Sequence, residues 1–138
     1  MLLIRPGQPR DLGEVAAIQV ESEEVSAWPV EDYLQHDFRV AEDQGRVAGF
    51  LVGRTVAPGE RELMNLAVAR GRRRQGVGRQ LVSAFLSHFT GVVFLEVRAS
   101  NQGAIGLYKS LGFQEVSVRK NYYDFPPEAA IVMKFHSC

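Results

Sequence analysis

The sequence predicts a mixed α/β (α+β) fold, in which helices pack on a central β-sheet. Two apolar runs of strand length, 62–68 and 92–97, are separated by a segment whose apolar residues recur at three-to-four spacing, the period of a helix. Hydrophobic residues make up 46% of the chain and charged residues 23%, which is typical of globular proteins. No linker or internal repeat interrupts the 138 residues, so we expect a single domain over 1–138.

The first half of the chain predicts a strand, two helices and a hairpin. Pro6 and Gly7 end the first strand, and Asp11 is a suitable N-cap for the first helix. The turn Asp43-Gln44-Gly45 joins the next two strands into a hairpin. The predicted elements are the strand 2–4, the helices 12–20 and 30–35, and the strands 38–42 and 46–55.

The second half predicts alternating strands and helices, followed by a final pair of strands. Gly91 ends the long helix, Asn101 caps the shorter helix, and Gly112 follows that helix at the C′ position. The segment 122–127 is predicted to be a loop. The predicted elements are the strand 62–68, the helix 76–89, the strand 92–97, the helix 102–111, and the strands 113–118 and 130–135.

Charge and cysteine content restrict the class of protein. Lys plus Arg and Asp plus Glu number 16 each, so no global field attracts nucleic acid or a membrane. The single cysteine, Cys138, excludes an intrachain disulfide. No apolar run approaches the ~20 residues of a membrane helix, and the first residues lack the pattern of a signal peptide. We therefore expect a cytoplasmic protein that does not bind membranes.

The segment 72–79, Arg-Arg-Arg-Gln-Gly-Val-Gly-Arg, predicts an anion site between a buried strand and an amphipathic helix. Gly76 and Gly78 remove side chains where a ligand approaches the backbone. The first turn of a helix presents N–H groups and a positive dipole to an anion. Four arginines (72, 73, 74 and 79) add fork-shaped cationic donors, so the segment indicates a phosphorylated small ligand.

Other interpretations of this segment compete with that one. The spacing of Gly71 and Gly76 begins a nucleoside-triphosphate loop, but Val77 stands where that loop requires lysine. Gly76 and Gly78 begin a dinucleotide fingerprint, but Leu81 stands where it requires Gly or Ala. A solvated basic turn stays open, and so does a nucleic-acid patch, which the zero net charge and the lack of interleaved aromatic residues disfavour.

Residues 73–78 fit the Arg/Gln-x-x-Gly-x-Gly/Ala pyrophosphate loop of the GCN5-related N-acetyltransferases (the GNAT superfamily), which the sequence resembles. The runs 95–101, 104–113 and 119–123 are similar to those of bacterial ribosomal-protein-alanine N-acetyltransferases, which acetylate the N-terminal amine of a small-subunit ribosomal protein. The resemblance is close over 65–133 and extends to the first sixty residues only in element order. It implies a sheet splayed at its fourth strand, helices on both faces, and direct acetyl transfer from acetyl-CoA.

The resemblance also implies which residues hold acetyl-CoA. Main-chain groups of Leu66, Ala67 and Val68 would pair with the pantetheine arm, and Asn101 would reach the cofactor from the start of the next helix. The pyrophosphate would be held by the loop residues Arg73, Arg74, Gln75, Gly76, Val77, Gly78 and Arg79. The turn at 69–71 and the short, Pro-rich segment before Ile131 depart from the family pattern.

Amide formation requires a base for the ammonium and benefits from an acid for the thiolate. Glu96 is the one acidic residue of the strand 92–97 and is the candidate base, since burial would raise the pKa of its carboxyl; an ion pair with Arg98 is the alternative role. Tyr108 is the candidate acid, but it also falls on the apolar stripe of its helix, where a core role is the alternative. The resemblance favours the catalytic role for both residues.

The remaining candidates concern the acceptor. Trp28, Tyr122 and Tyr123 are candidate aromatic contacts for a peptide. No Cys/His/Asp cluster has metal-ligand spacing, so no metal is expected. Two other functions stay open: acetylation of a lysine or a small-molecule amine, and a CoA-binding regulator without turnover.

Overall fold

The structure has the mixed α/β architecture that the sequence predicts. It is a computed structural model that describes residues 1–22, 28–124 and 127–137, apart from the side chains of Asn121 and Asp124. The single cysteine, Cys138, lies outside the described residues. The elements are β1 (Leu3–Pro6), α1 (Leu12–Val20), β2 (Asp37–Asp43), β3 (Arg46–Ala57), β4 (Glu60–Val68), α2 (Val77–Leu86), β5 (Gly91–Arg98), α3 (Gln102–Ser110), β6 (Gln114–Asp124) and β7 (Pro127–Ser137).

The contacts of the chain divide into two compact units. The first comprises Met1–Arg54 and Leu63–Ser87, and the second comprises Thr55–Glu62 and His88–Cys138. The short helix predicted over 30–35 is a 3₁₀ helix, and further 3₁₀ turns precede α1 and α2. Within the part of the chain that the structure describes, no helix has both the length and the apolar character needed to cross a membrane.

In the first unit the strands lie in the order β1-β2-β3-β4, and the predicted hairpin is confirmed. β2 pairs antiparallel with both β1 and β3, and Val40 faces Phe50 across the β2–β3 pair. Gln44 and Gly45 have φ values of 52° and 77°. Two central residues with positive φ form the tight turn whose twist matches that of the strands it connects.

The helices α1 and α2 lie on opposite faces of this sheet, as the resemblance implies. Val15 of α1 belongs to a buried cluster with Phe38 and Val40 of β2. Arg39, between them in sequence, points to the other face, donates to the Ala84 carbonyl of α2 at 2.6 Å and lies over the Phe85 ring. Because side chains alternate along a strand, these contacts assign one helix to each face.

Gly49 allows β3 to lie close to β4 and to the start of α2. A Cβ atom at this position would come within 2.9 Å of the Ala67 carbonyl oxygen and within 2.9 Å of a Val77 methyl group. Only a residue without a side chain fits such an approach without displacing its neighbours. The absence of a side chain here therefore fixes where the backbone of β4 and the first turn of α2 lie.

In the second unit the strands lie in the order β5-β7-β6, with both pairs antiparallel. Leu95 of β5 faces Met133 of β7, and both are buried. Helix α3 contributes Ile105 and Tyr108 to the buried residues of this unit. The other face of β5 carries half-buried side chains, among them Glu96.

The prediction for the end of α2 is wrong. The helix ends at Leu86, and Ser87 is extended where the sequence predicts helix to residue 89. His88 has a φ of 60°, and the Phe89 ring packs 4.1 Å from the Arg61 guanidinium instead of continuing the helical stripe. Gly91 begins β5 and does not end the helix.

The predicted loop over 122–127 is wrong at both of its ends, because β6 continues to Asp124 and β7 begins at Pro127; residues 125 and 126 lie outside the described residues. Arg119 pairs with Ala130, but the next pair joins Tyr123 to Glu128, so extra β6 residues bulge between the two pairs. The bulge lets the strand resume past Tyr122, whose aromatic side chain suits a strand.

Candidate active site

The predicted pyrophosphate loop, residues 73–79, follows a 3₁₀ turn at Arg70–Arg72 and continues into the first turn of α2. Gly76 is the N-cap of α2 and has a φ of 82°, a conformation that glycine adopts without strain. Its carbonyl accepts the Gln80 N–H at 3.0 Å, so the helix begins directly after it. A Cβ atom at Gly76 would meet no atom within 4 Å, so the backbone faces open space.

Two arginines of this loop bind protein groups. Arg72 donates to the Asp43 carboxylate at 2.8 Å, and its Nε donates to the Gln75 side chain at 2.9 Å. Arg73 donates to the Val68 carbonyl at 3.3 Å. These hydrogen bonds hold the loop in place, so the Arg72 and Arg73 side chains stabilise the loop itself.

Arg74 and Arg79 are exposed, as is Arg73. Arg74 has a φ of 64°, which is uncommon for a residue with a side chain and turns the loop sharply before the glycine N-cap. Arg79 lies in the first turn of α2. The N–H groups of the first helical turn, among them those of Val77 and Gly78, have no partners inside the helix. The segment thus has a glycine N-cap followed by the first turn of a helix, the features on which the predicted anion site depends.

The end of α1 is bonded to the same loop, which the sequence did not indicate. The Glu21 carboxylate accepts the Arg70 N–H at 2.7 Å, and the Glu21 carbonyl accepts from the Arg70 guanidinium at 3.1 Å. The buried Ser22 hydroxyl donates to the Ile18 carbonyl and accepts from Arg73 at 3.2 Å. The loop is thus hydrogen-bonded to the end of α1 as well as to Asp43 and Val68.

Strand β4 carries Leu66, Ala67 and Val68 in sequence, with Ala67 buried and its neighbours half-buried. The residue before them, Asn65, is also buried. Its side-chain amide donates to the Tyr33 hydroxyl at 3.0 Å, and its oxygen accepts the Leu66 N–H at 3.2 Å. This buried polar contact was missed, because nothing in the sequence links residue 33 to residue 65.

The same network reaches Trp28. The Tyr33 hydroxyl donates to the side chain of Gln19, whose amide donates to the Trp28 carbonyl at 2.7 Å. Burial raises the pKa of Tyr33, so its hydroxyl keeps its proton at neutral pH. The Trp28 side chain is 37% exposed, which leaves its ring accessible while its backbone is fixed.

In the second unit, Glu96 is paired, but not with Arg98. The Glu96 side chain is 20% exposed, and its Oε2 accepts from Arg119 at 2.9 Å. Arg98 instead lies 3.4 Å from the Glu128 carboxylate and over the Tyr123 ring at 4.2 Å. The alternative role, an ion pair, is therefore found with a partner from β6 that sequence spacing does not reveal.

The Tyr122 and Tyr123 rings meet edge to face, with centroids 5.0 Å apart. The Arg119 guanidinium lies over the Tyr122 ring at 4.3 Å. Burial, and then the negative charge of Glu96, raises the pKa of Tyr122. Burial, and then Tyr122, raises the pKa of Tyr123 to about 12. Both phenols are thus neutral at neutral pH and lie beside Glu96.

Tyr108 has the buried position that its place on the apolar stripe predicts. It is 5% exposed, and its ring centroid lies 5.5 Å from that of Phe113. Burial, and then the nearby Tyr123, raises the pKa of the Tyr108 phenol. The Tyr108 phenol therefore stays protonated at neutral pH.

Asn101 is the N-cap of α3, as predicted, since its side-chain oxygen accepts the Ala104 N–H at 3.2 Å. The side-chain NH₂ group of Asn101 takes no part in this cap. Within the described ranges, no group of three or more His, Cys, Asp or Glu side chains is arranged to hold a metal ion.

The predicted site residues thus form two groups, one in each unit. In the first unit, Asn65 connects the strand segment 66–68 to the residues that hold Trp28. In the second unit, Glu96 lies with Tyr122 and Tyr123. The residue that sequence analysis missed there is Arg119, although it belongs to the run that carries the resemblance.

Comparison with known proteins identifies the family. The model of the acetyltransferase (GNAT) family matches residues 11–113. The ribosomal protein bS18-alanine N-acetyltransferase of Escherichia coli K12 is 41% identical over 95 residues, which are 64% of this chain and 64% of that protein. The chain therefore matches just under two thirds of the length of this relative.

Two solved structures are similar over almost the whole chain. The crystal structure of the ribosomal-protein-S18-alanine N-acetyltransferase from Escherichia coli has a TM-score of 0.87 at 30% identity, covering 100% of this chain and 96% of that one. The Naa20 structure of Chaetomium thermophilum, in complex with a bisubstrate analogue, has a TM-score of 0.85 at 27% identity, covering 98% and 86%. Since the family model matches well over half of its residues, the chain belongs to the acetyltransferase (GNAT) family.

Proposed function

We propose that this protein is an N-acetyltransferase that transfers the acetyl group of acetyl-CoA to a protein N-terminal α-amine, that of the N-terminal alanine of a small-subunit ribosomal protein. The main support for a transferase is the glycine N-cap at Gly76, which leaves the backbone at the start of α2 open to an anion. The chain also belongs to the acetyltransferase (GNAT) family. The acceptor follows from the names of the relatives in Escherichia coli.

The proposed acetyl-CoA contacts are mainly backbone groups. N–H groups from Arg74 to Arg79 hold the pyrophosphate, because a helix N-terminus favours negative charge. Main-chain groups of β4 at 66–68 pair with the amides of the pantetheine arm, as an added strand would. The side-chain NH₂ of Asn101 provides a further donor, since its oxygen is occupied by the helix cap.

The proposed reaction moves two protons. Glu96 takes a proton from the acceptor ammonium; a model α-amine has a pKa of ~7.7–8.0, so a moderate base suffices at neutral pH. The amine nitrogen then forms a bond to the thioester carbonyl carbon, and the carbon–sulfur bond breaks. Tyr108 gives its proton to the departing sulfur. The products are the acetylated N-terminus and CoA.

The acceptor peptide is proposed to contact exposed aromatic rings. Trp28 and Tyr122 are 37% and 42% exposed, and Tyr123 lies edge-on to Tyr122. Aromatic side chains of this kind provide large contact area at low entropic cost. Truncation of Trp28 or Tyr122 is therefore expected to raise KM for the peptide more than it lowers kcat.

The decisive test compares Glu96→Gln and Tyr108→Phe with the native enzyme on a peptide that begins with the alanine N-terminus of the ribosomal protein. General acid and base groups contribute about 100-fold or more to a rate, so each change is expected to lower kcat by about that factor. The Kd for acetyl-CoA, measured by calorimetry, is expected to stay within about twofold.

A matched control is Glu115→Gln, which removes an exposed carboxylate of the same unit that pairs with Lys109. It is expected to keep the native rate. Native-like kcat in Glu96→Gln would contradict the base assignment. Turnover of free polyamines or internal lysines with none of the N-terminal peptide would contradict the acceptor, and acetyl-CoA binding without turnover of any amine would contradict the enzyme.

A further inference from the structure

We propose that Gln19 is a positioning residue for the acceptor peptide, which fixes the backbone of Trp28 so that the exposed Trp28 ring meets the peptide in one position. The inference rests on the proposed function, in which Trp28 contacts the acceptor. Gln19 lies near the end of α1, and its side-chain NH₂ donates to the Trp28 carbonyl at 2.7 Å. This hydrogen bond joins α1 to the residue whose ring contacts the substrate.

Helical spacing explains why Gln19 faces the interior. It comes four residues after Val15, which is buried in a cluster with Tyr33, and residues four apart lie on the same face of a helix. Gln19 is half-buried, whereas the next residue, Val20, is 85% exposed. An amide at the edge of an apolar cluster is costly to leave unpaired, so its hydrogen bonds to the protein decide its orientation.

Tyr33 provides the fixed point of this arrangement. Its ring is fully buried, and its centroid lies 5.8 Å from that of Phe38 and 5.7 Å from that of Phe50. The Tyr33 hydroxyl donates to the side-chain oxygen of Gln19. Because a close-packed ring cannot shift without displacing its neighbours, the hydroxyl holds the Gln19 oxygen at a defined place.

Asn65 sets the direction of the hydrogen bonds. Its oxygen accepts the Leu66 N–H at 3.2 Å, and its NH₂ donates to the Tyr33 hydroxyl at 3.0 Å and to the Gln19 oxygen at 3.4 Å. A hydroxyl has one proton, and the Tyr33 proton is directed to Gln19 because Asn65 donates from the other side. The Gln19 oxygen therefore faces Tyr33 and Asn65, and its NH₂ faces the Trp28 carbonyl.

A second restraint on Trp28 comes from the residue that follows it. The ring of Pro29 disfavours a helical backbone for the preceding residue. The Pro29 carbonyl accepts the Asp32 N–H at 3.1 Å, at the start of the 3₁₀ helix Val30–Gln35. Trp28 is 37% exposed, so its ring is available while its backbone is restricted on both sides. An aromatic contact that is placed before binding loses less entropy when the peptide binds.

The spectroscopic test uses the full chain, in which Trp28 is the only tryptophan, so that fluorescence reports on this residue alone. Gln19→Glu keeps an acceptor for Tyr33 and Asn65 but has no N–H for the Trp28 carbonyl at neutral pH. Gln19→Met removes both ends of the amide and keeps the length of the side chain. Time-resolved anisotropy is expected to show a larger amplitude of nanosecond Trp28 motion in both variants than in the native protein.

The kinetic test measures KM and kcat for the N-terminal peptide. Loss of one hydrogen bond of ordinary net strength corresponds to about a fivefold change, so KM is expected to rise by about that factor in Gln19→Glu and Gln19→Met. The value of kcat and the Kd for acetyl-CoA are expected to stay within about twofold. Tyr33→Phe is expected to raise KM in the native background and to add nothing to Gln19→Met, since both changes act through one hydrogen bond.

Gln35→Glu is the matched control, since it exchanges an exposed amide for a carboxylate at the end of the 3₁₀ helix. It is expected to keep the native anisotropy and KM. Unchanged anisotropy in both Gln19 variants would overturn the proposal, and so would an equal change in Gln35→Glu. Greater Trp28 motion with native KM, or a fall in kcat as large as the rise in KM, would also overturn it. Thermal melts establish folding, and Gln19→Met decides the result if Gln19→Glu does not fold.

Failure of the proposed function gives a different result. If Trp28→Ala keeps the native KM for the peptide, Trp28 is not an acceptor contact. If the native protein acetylates no N-terminal peptide, the acceptor itself is wrong. In either case the anisotropy of the Gln19 variants still shows whether Gln19 fixes Trp28.

Discussion

Gly91 shows how a single backbone position limits the choice of residue. Its φ is 142°, a conformation that residues with a side chain rarely adopt. A Cβ atom there would overlap the Gly59 carbonyl oxygen, which accepts the Val92 N–H at 2.9 Å. The glycine therefore fixes the start of β5, the strand that carries Glu96.

Gly91→Ala is expected to lower the free energy of unfolding by about 2 kcal/mol or more, because it combines a strained φ with a clash against backbone. Urea denaturation measures this change. Gly106→Ala is the control, since a Cβ at Gly106 in α3 meets no atom within 4 Å, and it is expected to stabilise by about 0.5–1 kcal/mol. Equal effects of the two changes would contradict this account.

The sequence predicts which ionisable residues lie in the candidate site better than it predicts which residues they pair with. The sequence singles out Glu96 as the one acid of an apolar strand, and offers an ion pair with Arg98, two residues further on, as its alternative role. Its partner Arg119 lies 23 positions away on β6. Such a partner depends on the order of strands in the sheet, which the spacing of charged residues does not encode.

Helix α3 depends on its N-cap. Asn101→Ala removes the oxygen that accepts the Ala104 N–H and is expected to cost about 1 kcal/mol of unfolding free energy. Asn101→Asp keeps an acceptor and is expected to preserve the stability measured by urea denaturation. If the NH₂ group also contacts acetyl-CoA, as proposed, Asn101→Asp weakens acetyl-CoA binding in calorimetry while stability is kept. Equal unfolding midpoints for Asn101→Ala and the native protein would contradict the role of the cap.

Two elements end at different residues from those that the hydrophobic pattern of the sequence predicts. Phe89 continues the apolar period of α2, yet it packs under Arg61 after the chain has left the helix. Tyr122 follows the predicted end of its strand, yet a bulge extends β6 through it. In the first case a contact with a distant residue outweighs the local pattern, and in the second the pairing of Tyr123 with Glu128 of β7 does so.

The stability of the fold is expected to fall in acid, because ion pairs of Arg5 join β1 both to β2 and to the start of α1. Its guanidinium bonds Asp11 at 2.8 Å and Glu42 at 2.8 Å. The hydrogen bonds from Arg5, and then that from the Gln8 N–H, hold the pKa of Asp11 below its usual value in spite of burial. A carboxyl with a lowered pKa stabilises the fold above its unfolded pKa of ~3.9, and this stabilisation is lost as the pH falls through the folded value.

Asp11→Asn is therefore expected to lower the unfolding free energy at pH 6 by about 2 kcal/mol, and to flatten its decline between pH 5 and 3. Asp32→Asn, which removes an exposed carboxyl, is the control and is expected to follow the native curve. Urea denaturation at several pH values measures both. A decline as steep in Asp11→Asn as in the native protein would contradict this account.

The sequence by itself determined the order of elements, the β2–β3 hairpin, the cap at Asn101, and the resemblance that the family match confirms. These features are set within a few neighbouring residues by side-chain period, turn chemistry and backbone conformation. The tertiary structure decided the partner of Glu96, the close approach at Gly49 and the extent of β6. Each of these depends on which strands lie side by side and in what register, and that is fixed only when residues far apart in the chain pack together.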